Sequence, residues 1–184
     1  SPIKGYGEFG HGRIPDVIDG LTFERLASAS GPTGGKIVRP SDGKEPKQVV
    51  FVQCVGSRAR EKGISYCSKI CCMYTAKHTM LYKHKVHDGR AVAFYMDIRA
   101  NGKGYDEFYQ QARDMGAMFV KGRVSQITEK ENGNLIVRYE DVEGDGGIVE
   151  TEYDMVVLAV GVQPNTEVAG LFEDRVLGLD EYAY

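Results

Sequence analysis

The chain has 184 residues, 42% of them hydrophobic and 27% charged, a balance that fits one folded domain with a proper core and excludes wholesale disorder and fibrous repeats. Its 23 Lys and Arg against 26 Asp and Glu leave a formal charge of −3, which provides no broad electrostatic attraction to nucleic acid or to an anionic membrane. The longest apolar stretch, residues 155–162, is too short to span a bilayer, and Ser1-Pro2-Ile3-Lys4-Gly5 has no apolar signal-peptide core, so a cytoplasmic protein without a membrane span is expected. A start without Met, in loop-like sequence, suggests a processed chain or a piece of a longer one.

Residues 1–20 are rich in Gly and Pro and read as a loop or arm. Leu21, Phe23, Leu26 and Ala27 then recur at helical spacing, with Asp19 as N-cap and Gly31-Pro32 as stop. A polar loop, residues 31–47, leads to Val49-Val50-Phe51-Val52, whose continuous apolar, β-branched character marks a strand buried on both faces and ending at Gln53-Cys54-Val55-Gly56. Residues 67–85 carry helix formers and close on Lys83, His84 and Lys85, basic side chains that complement the negative end of a helix. Residues 89–96 form the next strand, residues 106–115 a helix and residues 117–120 a third strand. Alternating segments at residues 125–129, 135–139 and 148–153, separated by Asn132-Gly133 and Gly144-Asp145-Gly146-Gly147, read as an antiparallel meander over residues 123–154. Met155-Val156-Val157-Leu158-Ala159-Val160 is the last strand.

This order predicts an α/β fold: a Rossmann-like, doubly wound sheet with an inserted antiparallel β-meander, of the FAD/NAD(P)-binding-domain type. The expected organisation is an N-terminal arm, short helix and loop at residues 1–47, the Rossmann-like domain at residues 48–165, and a tail at residues 166–184.

All four cysteines, Cys54, Cys67, Cys71 and Cys72, lie within nineteen consecutive residues. Random placement gives such clustering about once in a few hundred sequences, so the set reads as one site. Disulfide frameworks belong to small secreted chains without a core, which this is not, and four buried core cysteines side by side are disfavoured. A metal site remains. Structural zinc uses paired C-x2-C knuckles, whereas the spacing here is C-x12-C-x3-C-C with two adjacent cysteines; a [4Fe-4S] cluster, whose cuboid accepts ligands from more divergent directions, is favoured and zinc comes second. Where a dinucleotide fold carries G-x-G-x-x-G, this chain reads Gln53-Cys54-Val55-Gly56-Ser57-Arg58, with one glycine left. Cys67, Cys71 and Cys72 are expected to crown the N-terminus of the next helix, whose free N–H groups favour the negative charge of a thiolate-held cluster in place of a pyrophosphate.

The runs Phe51-Val52-Gln53-Cys54-Val55-Gly56-Ser57-Arg58 and Tyr66-Cys67-Ser68-Lys69-Ile70-Cys71-Cys72-Met73-Tyr74-Thr75-Ala76-Lys77-His78 strongly resemble the A-type subunits of heterodisulfide reductase and their bacterial relatives. Tyr95-Met96-Asp97-Ile98-Arg99, Gly102-Lys103-Gly104-Tyr105, Leu158-Ala159-Val160-Gly161 and Phe23-Glu24-Arg25-Leu26 continue the match, as does Ala29-Ser30-Gly31-Pro32-Thr33-Gly34-Gly35. The resemblance implies the nicotinamide-domain-like segment of a thioredoxin-reductase-like flavoprotein core. It implies an electron-transfer domain of an oxidoreductase, in which a [4Fe-4S] cluster on the four cysteines exchanges electrons with FAD held mainly by another half. Other heterodisulfide reductase-like or hydrogenase-type electron-transfer subunits are the implied partners. It also moves Lys77, Glu24 and the turn Gly161, Val162, Gln163 and Pro164 towards the flavin edge, although Lys77 and Glu24 alone read as solvated helix residues. His78, His84 and His87 read as surface residues.

Two alternatives stay open: a zinc-stabilised interaction module without redox chemistry, and an ordinary NAD(P)H-binding domain with incidental cysteines. The lost glycines predict no appreciable NAD(P)H binding. The isolated chain is expected to be inactive and not to retain FAD, because the contacts to adenine and pyrophosphate belong elsewhere.

Overall fold

The computed structural model describes residues 7–59, 63–144, 146–165, 167, 171, 178, 180 and 181. Strand β1 (Val17–Asp19) leads directly into helix α1 (Gly20–Ala27), and β2 (Gln48–Val55) precedes α2 (Cys71–Lys85). Then come β3 (Arg90–Tyr95), α3 (Tyr105–Asp114) and four strands: β4 (Met118–Glu129), β5 (Leu135–Asp141), β6 (Ile148–Tyr153) and β7 (Met155–Val160). They form one seven-stranded sheet in the order β1-β7-β2-β3-β4-β5-β6. The first five in that order run parallel, while β5 and β6 pair antiparallel.

The parallel strands are apolar because both faces are covered. Phe51 lies between Ala93 of β3 and Val157 of β7, and every residue of β7 is buried. On one face Phe51, Val49 and Val157 pack with Phe23 and Leu26 of α1 and with Tyr82 of α2; α3 lies against α2. Phe23 meets Phe51 edge-on at 5.4 Å between ring centres. On the other face Val50, Val52, Val92, Val156 and Leu158 pack with Ile127, Leu135, Val137 and Tyr153, so the sheet curls until its own meander covers it. The expected α/β architecture and its antiparallel insertion are both present.

Several boundaries differ from the sequence reading. β1 falls in the stretch read as loop, and with α1 it joins the same sheet and helix layer as residues 48–165. The segments expected separately at residues 117–120 and 125–129 are one strand, β4, which pairs parallel with β3 through Lys121 and then antiparallel with β5 from Gly122. Gly122 permits the change because a Cβ there would press on the Glu140 carbonyl. α2 begins at Cys71 rather than Cys67, since Lys69 at φ 63° interrupts any helical path between them. The N-cap of α1 is as expected: the Thr22 N–H donates to Asp19 Oδ1 at 2.8 Å. The predicted tail falls mostly outside the described residues.

The polar loop ahead of β2 is pinned by a buried ion pair. Asp16, 2% exposed, accepts from Arg39 Nε and Nη2 at 3.0 and 2.8 Å and from the Ser41 N–H and hydroxyl at 3.0 and 2.6 Å. Arg39 directs its remaining donors to Asn134 Oδ1 and the Gly133 carbonyl in the β4–β5 turn, at 3.2 and 2.8 Å. No helix among the described residues is long and apolar enough to cross a membrane.

Candidate functional site

In an open α/β sheet, ligands settle outside the carboxyl ends of the strands where the winding changes direction. Here β2 leaves through α2 towards β3, whereas β7 lies on its other side and is reached from the meander. The crevice between the ends of β2 and β7 is therefore the switch point, and the cysteines gather there. Cys54 closes β2 at φ 62°, beside a register shift against β7 between Val52 and Val55. A left-handed non-glycine residue is costly and points to a constraint on where its side chain must go. The chain then doubles back: the Ile64 N–H donates to the Gly56 carbonyl at 3.0 Å and the Arg58 N–H to the Tyr66 carbonyl at 3.2 Å. Gly63 passes so close to Gly56 that a Cβ would collide with its backbone.

Cys67 lies in the loop ahead of α2, its sulfur accepting from the Lys69 N–H at 3.4 Å, while Cys71 and Cys72 are the first two residues of the helix. Only two of the three expected cysteines therefore sit on the helix, and Cys67 approaches from outside it. Ser68 staples this loop to the segment after β7, accepting from the Val162 N–H at 2.8 Å and donating to the Val162 carbonyl at 3.2 Å. The Cys71 thiol donates to the Val160 carbonyl at 3.5 Å, which Tyr74 Oη also reaches at 2.6 Å. The Cys72 thiol donates to the Asp97 carbonyl at 3.6 Å. All four cysteines are free of disulfides.

Burial dominates the electrostatics. It pushes the Cys71 thiol up to about 12, with the Tyr74 hydroxyl opposing and the charges of Cys54, Cys72 and Cys67 reinforcing. Burial also raises Cys54, against the nearby Arg58, and raises Cys72, against the Arg99 N–H aimed at its sulfur. The four sulfurs thus lie within electrostatic reach of one another. Among the described residues no three Cys, His, Asp or Glu side chains close to the spacing of a single metal ion. Arg58 is held by Asp97 at 2.7 Å.

Among the described residues the buried polar side-chain atoms without partners are both amide atoms of Gln53, Ser57 Oγ, Thr75 Oγ1, His78 Nδ1 and Arg99 Nε; Gln53 adjoins Cys54 in sequence, and Ser57 and Thr75 follow Cys54 and Cys72 by three residues. Native interiors leave few such atoms unpaired, so a group of them marks a place built to meet something polar. The donor chemistry fits an iron–sulfur cluster: four thiols, backbone N–H groups at the start of a helix, a guanidinium and unused hydrogen-bonding capacity. Desolvated thiols of this kind become thiolates when a cation replaces their protons.

Further along α2, Lys77 Nζ and His78 Nε2 both lie 2.6 Å from the same carboxylate oxygen of Glu24 on α1. Glu24 and Lys77 thus form an ion pair between α1 and α2, and both remain 40–44% exposed. His78 is a correction: it is 2% exposed, wedged against Phe23, Tyr74 and Phe51. Burial lowers its pKa while Glu24 raises it. Gly161, Val162, Gln163 and Pro164 follow β7 beside Ser68, with Gly161 buried and the others partly so. Sequence reasoning missed Gln53, Ser68, Tyr74, Thr75 and His78 as site residues, although four of them stand within the quoted cysteine run and Gln53 adjoins Cys54.

No family model matches the sequence. Curated proteins do. The A-type subunit of the H(2):CoB-CoM heterodisulfide,ferredoxin reductase of Methanothermobacter thermautotrophicus is 49% identical over 158 residues, 85% of this chain and 24% of its own length. An A-type iron-sulfur subunit of the CoB--CoM heterodisulfide reductase of Methanopyrus kandleri is 50% identical over 159 residues, with the same coverage. The chain belongs to the family of heterodisulfide reductase A-type subunits. It spans about a quarter of the length of the curated relatives it matches. A solved thioredoxin reductase of T. acidophilum is similar over 75% of this chain and 38% of its own, with a TM-score of 0.46 and 18% identity.

Proposed function

We propose that this chain is the electron-transfer segment of a heterodisulfide reductase-like oxidoreductase, in which Cys54, Cys67, Cys71 and Cys72 hold one [4Fe-4S] cluster. The observation that carries the reading is the convergence of four disulfide-free cysteines on the switch point between β2 and β7, from a strand end, a loop and a helix start. When bound, such a cluster supplies one-electron chemistry. The chain's own contribution is to position and enclose: Cys54 is held left-handed near the end of β2, Ser68 ties the Cys67 loop down, and Arg58 and the Arg99 N–H offset thiolate charge.

In the complete protein FAD is the proposed second cofactor. Lys77, Glu24, Gly161, Val162, Gln163 and Pro164 would line the flavin edge, with the Glu24–Lys77 pair able to place a positive charge there. The partners would be further heterodisulfide reductase-like or hydrogenase-type electron-transfer subunits, and the compartment the cytoplasm.

Anaerobic purification with iron, sulfide and zinc determination tests the reading. About four iron and four sulfide per chain, with broad brown absorption, are expected. A colourless protein holding one zinc would overturn it in favour of an interaction module, and saturable NADH binding by calorimetry would revive the dehydrogenase alternative.

A further inference from the structure

We propose that Gln53 and Thr75 are hydrogen-bond donors to the sulfur face of the cysteine site and set the potential and durability of the cluster that site holds. This rests on the cluster reading. Helix α2 packs on β2. The Phe51 ring lies 6.5 Å from the His78 ring, which fixes where strand and helix face each other. Strand alternation puts Gln53 on the same face as Phe51, one step nearer Cys54. Thr75 lies about one helical turn before His78 and one turn after Cys71 and Cys72, with its Cβ tilted back towards them. Both side chains are thus carried to the level of the cysteines on the helix side of the sheet.

Both are buried there, Gln53 8% and Thr75 0% exposed, and neither the Gln53 amide nor the Thr75 hydroxyl has a partner. The ordinary outlet for a helical threonine, the carbonyl four residues earlier, is not taken. Leaving a donor unpaired inside a protein costs about 1–3 kcal/mol per group, so the Gln53 amide nitrogen and the Thr75 hydroxyl destabilise the cluster-free chain with nothing to offset them. Sulfur atoms of a bound cluster are acceptors of the right kind, and donors to them stabilise the reduced, more negative form.

The test uses the chain reconstituted anaerobically with iron and sulfide, comparing Gln53→Leu and Thr75→Val with the wild type. Thr75→Val keeps the shape and removes only the hydroxyl, so it remains informative if Gln53→Leu folds poorly. Expected are an unchanged iron content, a midpoint potential shifted downward in a dye-coupled optical titration, and faster bleaching in air. The thermal midpoint of cluster-free Thr75→Val should equal or exceed that of the wild type, because an unpaired hydroxyl has gone. A merely structural threonine would give the opposite pattern, a less stable cluster-free chain and an unmoved potential, and that result overturns the inference. Iron-loaded variants with the wild-type potential overturn it while leaving the cluster reading intact; a wild-type chain that binds no iron removes both.

Discussion

Two polar clusters in this molecule are built on opposite terms. At the junction of the residue 31–47 loop with the β4–β5 turn, Asp16 and Arg39 are buried and their hydrogen bonds close on Ser41, Gly133 and Asn134. At the carboxyl ends of β2 and β7 the terms are reversed: Cys54, Arg58 and Lys69 hold left-handed conformations, and Gln53, Ser57 and Thr75 keep unpaired polar atoms. The first cluster closes the fold on itself. The second holds strain and unused hydrogen-bonding capacity, the pattern of a site kept ready for a guest. Substitutions should therefore act on stability at one end and on bound iron at the other.

Cys71→Ala should show the largest effect. In the reconstituted chain it should lose the cluster, with iron and sulfide falling from full loading to a small residue and the brown absorption vanishing. Lys77→Ala, nearly two turns further along α2, should keep its iron. In the complete protein that substitution should instead change the flavin potential or turnover. Equal iron loss in the two variants would show that Lys77 supports the cysteine site and has no separate role.

The same logic predicts a large but different effect for Arg39→Ala. It leaves the Asp16 carboxylate buried without its cation and releases the β4–β5 turn, so about 3–5 kcal/mol of unfolding free energy should disappear. A urea titration measures this, and the midpoint should move without a change in slope. Iron loading under native conditions should be unaffected. Cluster loss on Arg39→Ala in a still-folded chain would show that the two ends are coupled, and would break the contrast.

The two ends also differ in how far they could be read from sequence. Val49-Val50-Phe51-Val52, the Asp19 cap and the turn signals of the meander announce themselves, because apolar runs and capping residues act locally. The cysteines are legible through spacing alone. The start of α2 is not, since its buried face consists of Cys71, Cys72, Thr75, Ala76, His78, Thr79 and Tyr82, and such a face carries little of the apolar periodicity by which helices are recognised. For the same reason His78 reads as a surface residue: polar side chains are exposed by default, and only the tertiary partners Glu24 and Phe23 overrule that default. β1 is three residues long and follows a Gly- and Pro-rich stretch, too short to show any period. The orphan atoms of Gln53 and Thr75 are visible only in three dimensions, because being unpaired is a property of the surroundings.

Within the cysteine site stands Tyr74, whose hydroxyl bonds the carbonyl that Cys71 also reaches. Tyr74→Phe should cost about 1 kcal/mol in the cluster-free chain, read from a shift in urea midpoint, because the Val160 carbonyl loses its better donor. A cost near zero would mean that the Cys71 thiol satisfies the carbonyl by itself.

The smallest effect sharpens the contrast by pH. For Glu24, burial opposes and the hydrogen bonds from Lys77 and His78 outweigh it, so the carboxylate titrates below its ordinary 4.5. For His78, burial among aromatic rings outweighs Glu24, so the imidazole titrates below its ordinary 6.5. In both cases the unfolded chain binds protons at a higher pH than the folded one, and stability rises with pH through each window. The folded chain should therefore be at full strength above about pH 6.5. It should weaken as His78 charges below that, and weaken again below 4.5 as Glu24 is neutralised, the second limb being shallow because Glu24 is 40% exposed and screened. Glu24→Gln discriminates: it removes the Glu24 share of the lower limb, leaving that of Asp42, Asp88 and Glu152, whose carboxyls are also held below their ordinary values, and by removing the anion that supports the imidazolium it should deepen the upper one. His78→Leu should erase the upper limb alone. Urea midpoints of the cluster-free chain between pH 4 and 8 measure all three, and an upper limb that becomes shallower in Glu24→Gln would show that Glu24 does not hold the His78 proton.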